Sequence, residues 1–284
     1  MKKILITGAN SYIGDSLERW LQYKPNEYTL YVLDVKNTDW QNHDFSKYQT
    51  VVNVAGIAHV KENDENKALY YEVNRDLAYE IARKAKNDGV KQFIFFSSMS
   101  VYGLDAGIIT RDTVPRPKNN YGKSKLEAEQ LISTLDDDIF AVAIIRPPMV
   151  YGKGCKGNYV RLSNFAKHTP FFPNINNKRS MIYINNLTEF IKLLIDDGAK
   201  GLFFPQNDEY VNTSEMVKLI SEAHGKNMRM IKIFNPIVKI FDFKILNKVF
   251  GSLIYEQNMS KYVKKYCTSC FNESVFQTEM RIRT

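Results

Sequence analysis

KKILITGANSYIG, residues 2–14, runs from an apolar, β-rich segment through a glycine and asparagine turn into an amphipathic pattern. Ile4 to Thr7 has the composition of a buried strand. Ile13, Leu17 and Leu21 recur at spacings of four, which suits a helix with one apolar face. Gly8 permits the tight turn, and Gly14 lets the helix pack closely on the strand. A helix start presents free N–H groups and the positive end of the helix dipole, both of which favour an anion. A strand, a glycine turn and a helix in that order is the context a dinucleotide-binding loop requires. Gly8, Asn10, Ser11, Tyr12, Ile13 and Gly14 are therefore candidate cofactor-binding residues. Ser11 stands where a middle glycine is usual; its side chain limits backbone approach, but its hydroxyl offers a phosphate contact.

Working outward, strand-like and helix-like patterns alternate. Tyr28 to Asp34 and Thr50 to Val54 read as strands, and Ala68 to Ala85 as a helix stopped by Gly89. Gln92 to Phe96 reads as a strand ending in Ser97 and Ser98, Lys123 to Ser133 as a helix, and Phe140 to Ile145 as a strand. Continuously apolar strands alternating with helices mean an α/β fold with a doubly wound parallel sheet covered on both faces. Such sheets bind ligands beyond the carboxyl ends of their strands. Asp34 falls at one of those ends, 20 residues past Gly14. A carboxylate there can bond an adenosine ribose and repel a 2′-phosphate, which favours NAD over NADP. Lys36, two residues on, pulls the other way.

After Pro147 the alternation fades into shorter pieces: helices at Asn158 to Ala166, Leu187 to Ile195 and Ser214 to His224, and strands at Met181 to Ile184 and Leu202 to Phe204. The expected division is a nucleotide-binding domain over 1–155 and a smaller substrate lobe over 156–284, some of whose segments return to the first domain. Residues 231 to 255 mix Phe, Ile, Leu and Lys, as core helices of that lobe or as a basic amphipathic surface for a membrane or a partner.

The chain has 284 residues, with 39 Lys plus Arg against 31 Asp plus Glu, a net charge of +8. A hydrophobic fraction of 44% with 25% charged residues excludes a disordered or fibrous chain. No apolar run approaches the ~20 residues of a membrane span, and MKKILITG reads as a first strand rather than a leader, so a cytoplasmic protein is expected. The positive charge suits a plain basic surface, an acidic small-molecule substrate, or an anionic membrane face; no nucleic-acid signature accompanies it. Three cysteines argue for a reducing compartment. Cys267 and Cys270 form a C-x-x-C, but with only Cys155 and scattered histidines besides, no four-ligand metal set is visible. His43, His59, His168 and His224 read as structural or exposed.

The chemistry lies in Ser97-Ser98-Met99-Ser100-Val101-Tyr102-Gly103 and Tyr121-Gly122-Lys123-Ser124-Lys125. On a helix Tyr121 and Lys125 are i and i+4 and share a face. An ammonium beside a phenol lowers the tyrosine pKa, so that Tyr121 can pass a proton to or from a hydroxyl or carbonyl. Ser98, at a strand end, can bond the same oxygen. Such proton transfer beside a nicotinamide is what carbinol–carbonyl interconversion needs.

These motifs resemble the extended short-chain dehydrogenases/reductases, the sugar-nucleotide epimerase/dehydratase group, in order over residues 1 to 225. The resemblance implies a Rossmann-type sheet with Ser98, Tyr121 and Lys125 as catalytic residues. It places Asp44, Phe45, Ala55, Gly56, Asn74 and Pro147 at the cofactor. It also implies a substrate diphosphate near Asn158, which opens a helix after Gly157, and near Arg179, with Met99 and Ser100 beside the sugar. Dimerisation through a helical face is common in the group.

Dehydratases of the group carry an Asp-Glu pair directly after the catalytic Ser or Thr. Met99 and Ser100 cannot act as that acid and base, which excludes dehydration. Two chemistries remain. RPPMVYGKGCKGNYVRL and PNINNKRSMIYINNLTEFI look like capsule and O-antigen enzymes that reduce UDP-4-keto-6-deoxy-N-acetylhexosamines, favouring a 4-ketoreductase. The alternative is a UDP-hexose or UDP-N-acetylhexosamine 4-epimerase that holds its NAD. A non-catalytic NAD(P)-sensing regulator is a remote third reading, because such proteins typically lose the Tyr or the Lys.

Overall fold

The computed structural model describes residues 1–58, 62–231 and 251–280. In chain order it runs β1 (Lys2–Thr7), α1 (Tyr12–Gln22), β2 (Tyr28–Leu33), β3 (Thr50–Asn53), α2 (Lys67–Tyr71), α3 (Ala78–Asn87) and β4 (Gln92–Phe96). It continues with β5 (Gly107–Ile109), α4 (Asn120–Ser133), β6 (Ala141–Ile145), β7 (Met149–Tyr151), α5 (Asn158–His168), β8 (Phe171–Pro173) and β9 (Met181–Tyr183). Then follow α6 (Ile184–Asp197), β10 (Gly201–Phe203), α7 (Thr213–Ala223), β11 (Arg229–Ile231), β12 (Leu253–Tyr255) and a C-terminal helix (Phe271–Glu279).

Six strands form one parallel sheet in the order β10-β6-β4-β3-β1-β2. The alternation of side chains along each strand divides the core in two. Leu5, Val51, Phe93, Phe95, Val142 and Ile144 pack against Ile81, Ala82 and Ala85 of α3 and Ala128 and Ile132 of α4. Ile4, Ile6, Val52, Ile94 and Ile145 pack against Leu17 and Leu21 of α1 and Leu187, Ile191 and Leu194 of α6. This is the doubly wound α/β sandwich that the apolar strands imply. The chain leaves β1 toward β2 at one edge and returns to β3 on the other side of β1, so a crevice opens beyond the carboxyl ends of β1 and β3.

The segments after Met149 divide between the main sheet and smaller two-stranded sheets. α6 and β10 rejoin the main sheet, β10 through its pairing with β6 (Gly201 to Phe203 against Ala143 to Ile145). β7 with β9, β8 with β11 and β5 with β12 make three two-stranded sheets, the last tying the loop after β4 to the far end of the chain. The helix expected over Ala68 to Ala85 is one run with a π-helical segment at Glu72–Leu77. Most of the segment at 231 to 255 lies outside the described residues, as does His59; Leu253–Tyr255 is a strand. No described helix is long and apolar enough to cross a membrane.

One buried ion pair fixes α4 to the sheet. Arg146, just past β6, reaches Glu129 of α4 at 2.5 Å and donates to the Tyr102 hydroxyl at 2.8 Å. Arg146 and Glu129 are 6% and 4% exposed. Removing one partner leaves the other charge buried and uncompensated. Arg146→Met should therefore lower unfolding stability by about 3–5 kcal/mol, and Arg146→Met with Glu129→Leu should recover most of that. Urea unfolding of the three chains checks this; a single variant as stable as the parent contradicts it.

Candidate active site

The glycine turn after β1 is shaped by what touches it. Gly8 has φ 106°, and a Cβ there would lie 2.7 Å from the Ala55 nitrogen. Two backbones thus meet at the crevice between β1 and β3, and only glycine fits. Asn10 follows in the left-handed region at φ 62°. Ser11 is the N-cap of α1: its Oγ accepts the Gly14 N–H at 3.2 Å. The hydroxyl therefore caps the helix and retains its O–H as a donor. Helix geometry leaves the first-turn N–H groups of Tyr12 and Ile13 for an anion. The Tyr12 side chain turns away, its hydroxyl buried where a Cβ on Gly152 would lie 2.7 Å off.

Around this turn the cofactor candidates separate. Asp34 is exposed at the end of β2, one carboxylate oxygen accepting the Lys36 N–H at 3.0 Å. Asp44 is exposed but turned onto its own loop: it accepts from the Ser46 N–H and hydroxyl, which hold its carboxyl below the usual range. Phe45 lies in the core rather than in a cleft wall; it is wholly buried, and its N–H goes to Asp88 at 3.0 Å. Asn74 is also wholly buried. Its amide accepts from the Ile57 N–H at 2.8 Å and donates to the Ile57 carbonyl at 3.1 Å and Ser124 Oγ at 3.3 Å. It sits in the π-helical segment, a distortion often found at functional sites. Asn74 thus shapes the loop after β3 from behind. Pro147 is buried, and its carbonyl accepts the Met99 N–H at 3.0 Å.

Ser98 and Tyr121 lie close together. Ser98 ends the segment after β4; its Oγ accepts the Ser100 N–H at 3.1 Å, and its hydroxyl lies near enough to the Tyr121 phenol to favour the phenolate. Tyr70 stands edge-on to the Tyr121 ring, centroids 6.5 Å apart. The expected drop in the Tyr121 pKa is absent. Burial pushes it up, with the nearby Ser98 hydroxyl opposing this. The reason is the direction of Lys125: its Nζ donates to the Phe96 carbonyl at 2.7 Å and lies 4.8 Å from the Phe95 ring centre. The amine is pinned to the sheet, not to the phenol.

Lys125 nonetheless lies against the loop after β3: a Cβ on Gly56 would lie 2.9 Å from Asn74 Oδ1 and 3.2 Å from Lys125 Nζ, so only glycine lets the two approach this closely. The close backbone approaches at Gly8 and Gly56 and the first-turn N–H groups of α1 fit a dinucleotide lying across the strand ends.

Arg179 lies among other elements. It is half-buried, its N–H and carbonyl paired with Val211, and its Nη1 donates to the Gly251 carbonyl at 2.8 Å. Burial lowers its pKa and Asp105 opposes this. Asn158 is exposed at the start of α5, where Gly157 takes φ 90°. Ser100 is exposed and Met99 half-buried. No described group of histidine, cysteine or acidic side chains could hold a metal, and all three cysteines are free thiols. Sequence reasoning missed Glu62, which bonds the start of α4, and the Arg146–Glu129 pair. Neither carries a local pattern; each is made by chain segments far apart.

A glycine turn between two parallel strands, with a serine–tyrosine pair and a buried lysine at neighbouring strand ends, defines a nicotinamide-dinucleotide oxidoreductase of the extended short-chain type. The sequence profile of the NAD dependent epimerase/dehydratase family matches residues 4–204. The UDP-glucose 4-epimerase of Vibrio cholerae is 32% identical, over 88% of this chain and 83% of that one. The N-acetyl-alpha-D-glucosaminyl-diphospho-ditrans,octacis-undecaprenol 4-epimerase of Escherichia coli O157:H7 is 25% identical, over 94% and 86%. Among solved structures, the UDP-glucuronic acid 4-epimerase of Bacillus cereus in complex with NAD superposes with a TM-score of 0.75 at 17% identity, covering 98% of this chain and 97% of that one. A dTDP-4-dehydrorhamnose reductase of Bacillus anthracis in complex with NADP gives 0.72 at 18% identity, covering 98% of each. These two likenesses speak to the fold. The chain belongs to the NAD dependent epimerase/dehydratase family, and its chemistry is that of a nucleotide-sugar epimerase or reductase using NAD or NADP.

Burial pushes the Lys125 pKa from 10.5 down to about 8, with Glu129 opposing. Because the folded value lies below the unfolded one, the folded chain releases this proton first. Lys125 then makes stability rise with pH from about 8 to 10.5, and its charge destabilises most below pH 8. Lysine-selective NMR of the cofactor-free chain should show one amine titrating near pH 8, absent from Lys125→Met. Titration of every lysine near 10.5 contradicts this.

Proposed function

We propose that this chain is a 4-epimerase of a UDP-hexose or UDP-N-acetylhexosamine that keeps its NAD through the catalytic cycle. The observation that carries the reading is the Ser98–Tyr121 hydroxyl pair with Met99 and Ser100 beside it, where a dehydratase needs carboxylates. Such a site exchanges a proton at one sugar oxygen and has nothing to expel water with. The two relatives described above are named as 4-epimerases, which moves the balance away from the reductase that sequence patterns favour.

When bound, the nicotinamide supplies reversible hydride transfer at C4. Tyr121 takes the proton of the C4 hydroxyl as a ketone forms and returns it to the alkoxide that follows. Ser98 bonds the same oxygen and holds it in line with the phenol. Lys125, packed against Gly56, would bond the ribose hydroxyls of the cofactor. Gly8, Asn10, Ser11 and the first turn of α1 would hold the pyrophosphate and Asp34 the adenosine ribose, with Ala55 and Pro147 as the walls of the crevice. Asn158 and Arg179 take the diphosphate of the sugar nucleotide; a guanidinium fork matches two phosphate oxygens.

The second reading is a UDP-4-keto-6-deoxy-N-acetylhexosamine 4-ketoreductase, favoured by the stretches 146–162 and 173–191. Incubation with UDP-glucose or UDP-N-acetylglucosamine without added coenzyme separates the two. Interconversion to the galacto isomers supports the epimerase. No interconversion, with stoichiometric loss of NADH or NADPH absorbance on a UDP-4-keto sugar, overturns it in favour of the reductase. In either case Tyr121→Phe should lower kcat by about 10²–10⁴-fold while UDP-sugar affinity persists. Near-parental turnover would remove Tyr121 from its role.

A further inference from the structure

The three N–H groups at the start of α4 have no partners within the helix, because a helix cannot supply acceptors for its own first turn. Asn119, the N-cap, takes only one of them, accepting the Gly122 N–H at 2.8 Å. The other two go to a single carboxylate 58 and 59 residues earlier in the chain. Glu62 Oε2 accepts the Asn120 N–H at 3.2 Å and its Oε1 accepts the Tyr121 N–H at 3.1 Å. Oε2 also accepts from the Asn120 side-chain amide at 3.2 Å, while Asn120 Oδ1 accepts from the Tyr71 hydroxyl at 3.4 Å. Among the described residues these three N–H groups are the partners of the Glu62 carboxylate, and no cationic side chain pairs with it. A negative charge at this helix end is favoured by the dipole.

We infer that Glu62 is a positioning residue for the reaction: its carboxylate clamps the first turn of α4, and so the backbone of Tyr121, to the loop that follows β3. The inference rests on the reading of Tyr121 as the proton-transfer group. Its chemical reason is placement. Lys125 holds α4 to the sheet one turn further on, through the Phe96 carbonyl. Without Glu62 the tyrosine would lie in the frayed turn ahead of that anchor. A reacting group must be held to a fraction of an ångström for efficient transfer.

The test compares Glu62→Gln, Glu62→Ala and Glu62→Asp with the parent. Gln keeps the shape but replaces one acceptor by a donor facing an N–H; Asp keeps the charge on a shorter stem. On whichever UDP-sugar the parent turns over, Glu62→Gln and Glu62→Ala should lose at least ~10-fold in kcat with KM within about twofold, and Glu62→Asp should recover part of the loss. Hydrogen exchange read by mass spectrometry should be faster over residues 119–126 in the Gln and Ala variants and unchanged over Lys2–Thr7 and Ala141–Ile145. Unchanged kcat, or a loss of kcat matched by faster exchange through the whole sheet, overturns the inference. The exchange arm needs no substrate. If the parent turns over nothing, the functional reading fails while the clamp is still tested: slow exchange at 119–126 that the variants accelerate supports it, and fast exchange in the parent overturns it.

Discussion

The site depends on how one helix is fastened. α4 carries Tyr121 and Lys125, and three separate contacts hold it. Lys125 donates to the Phe96 carbonyl at the end of β4. Glu129, one turn on, meets Arg146 from the end of β6. Glu62 closes the first turn from the loop after β3. These anchors come from three neighbouring strands, so the phenol is fixed with respect to the carboxyl edge of the sheet as a whole. That edge is where the topology opens a crevice and where Gly8 and Ala55 approach too closely for a side chain between them.

This fastening has an electrostatic cost. Arg146 and Glu129 are both buried and serve each other, whereas among the described residues the buried Lys125 amine donates to a carbonyl and to no carboxylate. Its depressed pKa follows from that exchange of solvent for one backbone oxygen. A buried lysine so easily deprotonated gains from any hydroxyl that binds beside it and shares its charge. The tyrosine shows the converse. Away from the ammonium and enclosed near Tyr70, it holds its proton more tightly than a free phenol, so the epimerase reaction needs a site that favours the phenolate once it is loaded.

Much of the fold is legible in the sequence because the strands are apolar on both faces. β4 reads as Gln92 to Phe96 without the help of tertiary structure, and Gly89 and Gly8 announce their turns. Tyr121, Lys125 and Ser98 are legible through spacing and strand-end position. What the sequence cannot carry is direction. Nothing local distinguishes a lysine aimed at its i−4 tyrosine from one aimed at a carbonyl, and the latter prevails here because Phe96 lies directly beneath α4. Phe45 reads as a cofactor contact and is core, since its ring fills space under α3. Glu62 reads as one solvated acid among several between β3 and α2, and its role appears only when α4 arrives beside it. The return of β10 to the main sheet is likewise set by a pairing with β6 that no short window contains.

The central claim is that a tyrosine held this way drives reversible oxidation at a sugar carbon with the nicotinamide retained. The most direct test is to mix the purified chain, carrying only the coenzyme it retains, with UDP-glucose and with UDP-N-acetylglucosamine and follow the nicotinamide absorbance rapidly. The account predicts a substoichiometric rise of the reduced form that reaches a steady level without added coenzyme and is missing in Tyr121→Phe. A chain that retains no coenzyme, shows no such transient and only consumes added NADH or NADPH would contradict it.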